Sequence, residues 1–355
     1  MRIKRLDALR AIAVLLVLGR HMELCPRDVF LPLRIILDAW YRFGWVGVDF
    51  FFVLSGFLVS SLLFKEYIKN EKIFLKRFFI RRGFKIYPPF YLLLIFTILV
   101  SFFFHKPLTV PQILSEFLFF QNYGPPIWGH SWSLAVEEHF YLLIGLLLYF
   151  TSRKKGSNPF SFIPTFFVLL ATLLIVFRVL TWINIPFSYK THLFPTHLRI
   201  DSLFFGGFIS YLSNFSRVRF LAWVNSNRLK IVMACTLFII PAVFVDLEQG
   251  PWMPTFGFTF LYLGFGGILS LILSSKSDSS VPIFSALGKY SYSIYLWHLP
   301  IHSLGLRFLH DKLNIHTSFF QDLTIYLCSS LILGVIMSKL VETPFLKLRD
   351  RLYPE

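Results

Sequence analysis

Apolar residues in this chain gather into runs long enough to cross a bilayer, separated by short polar stretches. The runs lie at roughly 6–24, 45–64, 86–104, 131–150, 160–184, 199–213, 231–245, 257–274, 288–308 and 322–340. They predict an all-α polytopic membrane protein with about ten transmembrane helices. Residues 107–122, PLTVPQILSEFLFFQN, are too short and broken to span, and predict an outer interfacial helix or a re-entrant piece. No internal repeat is apparent and no linker is long enough to set off a second domain, so residues 1–355 are expected to form one integral membrane domain.

Composition fits this pattern. Hydrophobic residues make up 55% of the chain and charged residues 15%, with 44 phenylalanines and 8 tryptophans; the mean hydropathy is +0.64. A water-soluble domain lacks enough polar surface at that composition. The net charge of +16 would suit nucleic acid, but the charges sit between apolar runs and mostly in alternate loops, which argues against it. Alternate connections carry 24 Lys and Arg on one side, counting both termini, and 8 on the other: Arg27, Arg34, Arg42, Lys106, Lys190, Arg199, Arg307 and Lys312. That bias places both termini in the cytoplasm. Cys25, Cys235 and Cys328 form no disulfide or metal spacing. The N-terminal run lacks a small-residue cleavage site, so a retained first span is expected.

Charge inside a span is expensive, and its positions are therefore informative. The first run, RAIAVLLVLGRH, holds Arg10 and His21 eleven residues apart. On a helix that separation returns to one face, about 16 Å along the axis. The plain reading is a pair of interfacial residues snorkelling from a short span. GWVGVDFFFVLSGFLVSSLL carries Asp49 and a small-residue face of Ser55, Gly56, Ser60 and Ser61, which close helix packing would also explain. SWSLAVEEHFYLL carries Glu137, Glu138 and His139. The plain reading of Glu137 and Glu138 is an interfacial pair facing lipid headgroups. Adjacent helical residues diverge by about 100°, so at most one carboxylate faces the interior, where it needs a cationic or imidazole partner such as His21 or an arginine. LGKYSYSIYLWHLPIH carries Lys289, His298 and His302, which could equally form a wet aromatic belt. In the 65–85 segment Arg77, Arg81, Arg82 and Lys85 share one helix face ahead of Pro88-Pro89. That face suits anionic lipid, or a polyphosphorylated ligand from the cytosol. HLRID, at 197–201, superficially matches a His-x-x-x-Asp acyl-transfer signature and makes His197 a reserve candidate.

Taken together and in order, these segments resemble the acyltransferase-3 family of bacterial integral membrane O-acyltransferases. RLDALRAIAVLLVLGRH looks like its opening span, with an Arg-x10-His motif on Arg10 and His21. GVDFFFVLSGFLVSSLL and FFIRRGFKIYPPFYL look like its second span and its basic element. HSWSLAVEEHFYL resembles the Trp-Ser-Leu-x-x-Glu-Glu-x-Phe-Tyr element, from Trp132 to Tyr141. HLRIDSLFFGG is similar to an Arg-x-Asp element at Arg199 and Asp201, and YSYSIYLWHLPI and VETPF to the last two signatures. The motifs cover about residues 5–345. Departures are Arg20 beside the His, His139 for the commoner glutamine, and Lys85 for an arginine. The chain ends soon after VETPF, so the expected form is the stand-alone one without an SGNH-type domain, which leaves room for a separate extracytoplasmic partner.

The resemblance implies an acyl-CoA donor, most often acetyl-CoA, and transfer to a hydroxyl of a lipopolysaccharide O-antigen, capsule, exopolysaccharide or similar saccharide, at the bacterial cytoplasmic (inner) membrane. No metal is expected. The CoA phosphates would rest on Arg77, Arg81, Arg82 and Lys85, and the pantetheine arm would pass Arg10 toward His21. His21 would act as general base or carry the acyl group, with Glu138 or Glu137 orienting its ring. Ser55, Tyr292 or a backbone N–H would steady the oxyanion. Asp49, Trp132, Arg199, Asp201 and His298 would support or bind substrate. The competing reading is a transporter or flippase for a lipid-linked saccharide, which buried charge would also serve.

Overall fold

A backbone in lipid must satisfy its own N–H and C=O groups, and the apolar runs do so as helices. The computed structural model describes residues 4–154, 158–275, 282–306, 308–315 and 317–354. Arg2, Lys155, Lys276 and Arg307, which enter the loop-charge comparison, lie outside the described residues. In chain order the α-helices begin with α1 (Lys4–Arg20), α2 (Leu31–Phe43), α3 (Val46–Asn70), α4 (Leu75–Phe103), α5 (Val110–Phe117) and α6 (Trp132–Thr151). Next come α7 (Ile163–Asn184), α8 (Tyr189–His192), α9 (Thr196–Arg199), α10 (Asp201–Phe215), α11 (Arg217–Ser226) and α12 (Arg228–Ile239). The last are α13 (Pro241–Phe244), α14 (Phe258–Ser274), α15 (Pro282–Gly288), α16 (Ser291–Pro300), α17 (Phe319–Met337) and α18 (Thr343–Leu352). No strand occurs among the described residues.

Six helical stretches are long and apolar enough to cross a membrane: Val46–Asn70, Leu75–Phe103, Gly129–Thr151, Ile163–Asn184, Met253–Ser274 and Phe319–Leu352. The pair Arg217–Ser226 and Arg228–Phe244, bent by 78°, makes a seventh if read as one broken span. The other expected runs, at 6–24, 199–213 and 288–308, are built from shorter pieces: α1, α9 with α10, and α15 and α16 with a π-helical continuation at Ile301–Leu306. The outer surface is apolar, as a lipid-facing surface must be. Leu169, Leu180, Ile183, Phe102 and Phe103 are exposed, while Arg178 and Arg199 are the two largest fully buried side chains. The chain is thus an all-α polytopic membrane protein.

The 65–85 segment is helical rather than a loop. Helix α3 continues to Asn70, Glu71 takes a left-handed turn at φ 54°, and α4 runs unbroken through Pro88 and Pro89. The basic residues therefore extend the same helix that carries the apolar run. The 107–122 stretch contributes the eight-residue α5.

The chain divides into two compact units. The first comprises Met1–Gly47, Phe79–Ile113 and Asp278–Glu355. Its centre is α1, which approaches α15 so closely that a Cβ at Gly288 would lie 1.6 Å from the Asp7 carbonyl oxygen. The Ser285 hydroxyl donates to the Lys4 carbonyl at 3.0 Å along the same seam. The last turn of α1 is tied down from three sides. Trp40 Nε1 donates to the Leu15 carbonyl, the Tyr326 hydroxyl to Leu18, and the His21 ring to Val17. Glu342, the glutamate of VETPF, is buried and accepts from Ser293 at 2.9 Å and Ser338 at 3.0 Å, joining α16 to the π-helical turn Ser338–Glu342.

The second unit comprises Val48–Phe78 and Leu114–Ser277. Here α3 and α10 meet backbone to backbone at small residues. A Cβ at Gly56 would sit 1.9 Å from the Leu203 carbonyl oxygen, and one at Gly206 would sit 2.1 Å from that of Val53. The segment leading into α6 is held by Glu116, which is buried on α5. One of its oxygens accepts from Ile127 N at 2.9 Å, Trp128 N at 3.3 Å and Ser131 Oγ at 2.8 Å. Burial pushes the Glu116 carboxyl above its ordinary range, while the bonds from Ser131, Ile127 and Trp128 pull the other way.

Candidate active site

In the first unit α1 ends where its chemistry begins. The His21 amide bonds Leu18 O at 3.1 Å, tightening the turn, and the ring then takes the Val17 carbonyl through Nδ1 at 3.0 Å. A carbonyl can only accept, so Nδ1 carries the proton and Nε2 is the basic atom of the neutral ring. His298, buried on α16, lies against it, with ring centroids 4.9 Å apart and His298 Nε2 3.2 Å from His21 Nδ1. The Arg20 guanidinium sits 4.9 Å over the Tyr41 ring, a cation–π contact that occupies the extra cation beside His21. Helix α1 carries Arg10 and ends one residue before His21: Arg10 is half-buried in its first half, with no hydrogen bond or ion pair among the described residues.

The basic residues of α4 have acquired partners. Arg81 pairs with Asp350 of α18 at 3.2 Å and also bonds the Tyr353 carbonyl. Arg82 and Lys85 are half-buried farther along the helix. The Tyr292 hydroxyl donates to the Ile86 carbonyl at 2.9 Å, near Pro88 and Pro89, which each lack a backbone N–H.

The second unit holds the remaining candidates. Arg77 is paired with Glu66, which also accepts from Phe74 N at 3.0 Å and so ties the end of α3 to the start of α4. Ser55, Tyr141 and Glu137 form a chain: the Tyr141 hydroxyl donates to Glu137 at 2.7 Å, so the Ser55 hydroxyl, 2.8 Å away, donates to Tyr141. Glu138 and His139 are half-buried on the same helix, and His139 Nδ1 meets the Thr196 hydroxyl at 2.7 Å.

Asp49 is wholly buried and accepts from Arg199 at 2.6 Å. Arg199 in turn lies 3.6 Å over the Phe258 ring, with Trp132 at 5.9 Å and Phe52 at 6.0 Å. A second buried pair joins Arg178 to Asp201 at 2.7 Å, with Thr259 accepting from the same nitrogen at 3.0 Å. Two guanidinium and two carboxylate groups thus neutralise one another inside the helices. Asp49, Trp132, Arg199 and Asp201 belong to one buried cluster, and Arg178 completes it. His197, the reserve candidate, stacks on Tyr123 and bonds its hydroxyl at 2.9 Å. Glu116 and Glu342 went unnoticed in the sequence as structural acids, because nothing local marks either as buried. Among the described residues no three His, Cys, Asp or Glu side chains converge on a metal site.

Comparison with known proteins gives a consistent picture. The chain is 29% identical to a peptidoglycan O-acetyltransferase, OatA, of Listeria monocytogenes, over 96% of this chain and 55% of that protein. It is 28% identical to the O-acetyltransferase OatA of Staphylococcus aureus, over 83% of this chain and 50% of that protein. The chain therefore spans about half the length of these relatives. No solved structure matches. A family model described as an acyltransferase domain matches residues 3–339, from the first turn of α1 to the π-helical turn before α18. With that match running through every segment in which the candidate residues lie, the chain belongs to the acyltransferase-3 family.

Proposed function

We propose that this protein transfers an acyl group, acetyl in the first instance, from acyl-CoA to a hydroxyl of a cell-surface saccharide. It does so as a multi-pass protein of the bacterial cytoplasmic membrane with both termini in the cytoplasm. The acceptor to test first is peptidoglycan, since a relative carries that substrate in its name. The CoA phosphates meet the basic face of α4 through Arg82 and Lys85. Arg77 and Arg81 hold partly exposed ion pairs, and such pairs are weak enough to yield to phosphate. Arg10 lies along the path of the pantetheine arm.

At the thioester, His21 Nε2 removes the proton from the acceptor hydroxyl as its oxygen bonds the carbonyl carbon. The C–S bond then breaks, and the proton leaves with the CoA sulfur as the thiol, so that the products are the ester and free CoA. The observation that supports this reading best is the His21 ring, held through Nδ1 with Nε2 left as its base, just beyond the end of the helix that carries Arg10, a cation with no hydrogen bond or ion pair among the described residues.

The test is direct. Purified protein in proteoliposomes, given radiolabelled acetyl-CoA and soluble peptidoglycan fragments, is expected to release CoA and label the saccharide, with both signals lost in His21→Ala. Absence of CoA release from the wild type across peptidoglycan, capsular and O-antigen fragments would overturn the reading.

A further inference from the structure

We infer that His298 is the positioning residue for His21, filling through a neutral imidazole the place that a carboxylate fills in hydrolase triads. The inference rests on the reading of His21 as base, and begins from where the two protons must be. His298 Nδ1 lies 2.6 Å from the Tyr295 carbonyl and His21 Nδ1 lies 3.0 Å from that of Val17. Neither carbonyl can donate, so both rings carry their proton on Nδ1. His298 Nε2 then carries a lone pair in place of a proton, 3.2 Å from the His21 Nδ1–H. That N–H is shared between Val17 O and His298 Nε2. The nitrogen a carboxylate would have engaged is therefore already held within the first unit, by α1 itself and by α16.

Each of these contacts has a backbone cause. The His21 amide bonds Leu18 rather than Val17, leaving the Val17 carbonyl to the side chain. His298 is fixed by a carbonyl of its own helix, three residues back, two residues before Pro300. His298 is completely buried, whereas His21 keeps partial exposure.

During transfer His298 gains and loses no proton. When His21 Nε2 takes the hydroxyl proton, the ring becomes imidazolium and the Nδ1–H···Nε2 bond to His298 becomes charge-assisted. That strengthening is felt in the transition state and not in the ground state, which is where support for a base raises turnover. Because His298 remains neutral, the pair adds no second buried charge.

The experiment compares His298→Leu, which removes the acceptor, with His298→Gln, whose amide oxygen can take the His21 N–H. His298→Leu is expected to lower kcat about a hundredfold with the KM for acetyl-CoA within about twofold of wild type. His298→Gln is expected to recover at least about tenfold of that loss. Nitrogen-15 NMR of histidine-labelled protein, assigned by loss of the His21 signal in His21→Ala, gives a readout independent of turnover. The wild-type His21 ring should be protonated on Nδ1, and His298→Leu should admit the Nε2–H form. A wild-type His21 protonated on Nε2, or unchanged kcat in a folded His298→Leu, would overturn the inference. Failure of the wild type to consume acetyl-CoA at all would overturn the functional reading, while the tautomer measurement would still decide the positioning of the ring.

Discussion

Arg199 donates to Asp49 across 2.6 Å with neither side chain exposed, joining residues 150 positions apart in the chain. Breaking such a pair leaves one uncompensated charge in a dry interior, at a cost of about 3–5 kcal/mol, whereas replacing both members by apolar groups of similar volume is close to neutral. Asp49→Ala is therefore expected to fold poorly or to melt far below wild type in detergent. The double variant Asp49→Leu/Arg199→Met should recover most of that loss. A single variant as stable as wild type would mean that the pair contributes nothing to the fold.

Arg10 and His21 are expected to fail differently. His21→Ala should abolish saccharide labelling without altering membrane insertion or thermal stability, because the hydrogen bonds of its ring among the described residues run to the Val17 carbonyl at the end of α1 and to His298. Arg10→Ala, removing a cation with no protein partner among the described residues, should mainly raise the KM for acetyl-CoA. Steady-state kinetics on the two variants separates these outcomes. Equal loss of kcat in both, with donor KM unchanged, would remove Arg10 from the donor path.

What could be read from sequence follows from how local each signal is. The apolar runs and the small-residue face around Gly56 are local periodicities, and they have their counterparts in the helices and in the α3–α10 crossing. Pairings between distant segments were not legible. Sequence marks Asp49 as a costly charge, but not that Arg199 answers it, nor that Arg178 answers Asp201. His21 and His298 are separated by 277 positions, so only the packing of α1 against α16 shows that they touch. The Arg77, Arg81, Arg82 and Lys85 face was visible, while Glu66 and Asp350, which answer two of its charges, looked like ordinary polar residues. Helix α4 continues through Pro88-Pro89, and the Tyr292 hydroxyl that bonds the nearby Ile86 carbonyl comes from a segment more than 200 positions away.

The α1–α15 seam should be intolerant of a single methyl group. A Cβ at Gly288 would overlap the Asp7 carbonyl, a backbone atom that cannot swing aside, so Gly288→Ala must push the two helices apart. The expected result is sharply reduced yield and thermal stability. Gly129→Ala, where nothing lies within 4 Å of the added atom, serves as the control and should behave as wild type. Equal melting temperatures for the two variants would show that α1 is not packed against α15 in solution.

Glu116 gives the chain a stability that depends on pH in a defined sense. Its carboxyl is raised above the ordinary glutamate value of 4.5, chiefly by burial. The folded state therefore holds this proton more tightly than the unfolded state does. Below 4.5 both states are protonated and the group contributes no pH dependence. As pH rises through 4.5 the unfolded chain ionises first, and stability falls until the folded carboxyl also ionises, above which this contribution is constant. Glu116→Gln keeps the acceptor oxygen that holds Ile127 N, Trp128 N and Ser131 Oγ but cannot ionise. It should flatten that part of the curve and be the more stable protein at neutral pH. Glu116→Ala removes the acceptor and leaves buried donors unsatisfied, at about 1–3 kcal/mol for each buried group. Thermal melts of the three proteins at a series of pH values would test this, and a wild-type stability that rises with pH up to about 4.5, with that rise lost in Glu116→Gln, would show that the carboxyl is held ionised by its three donors rather than neutral by its burial.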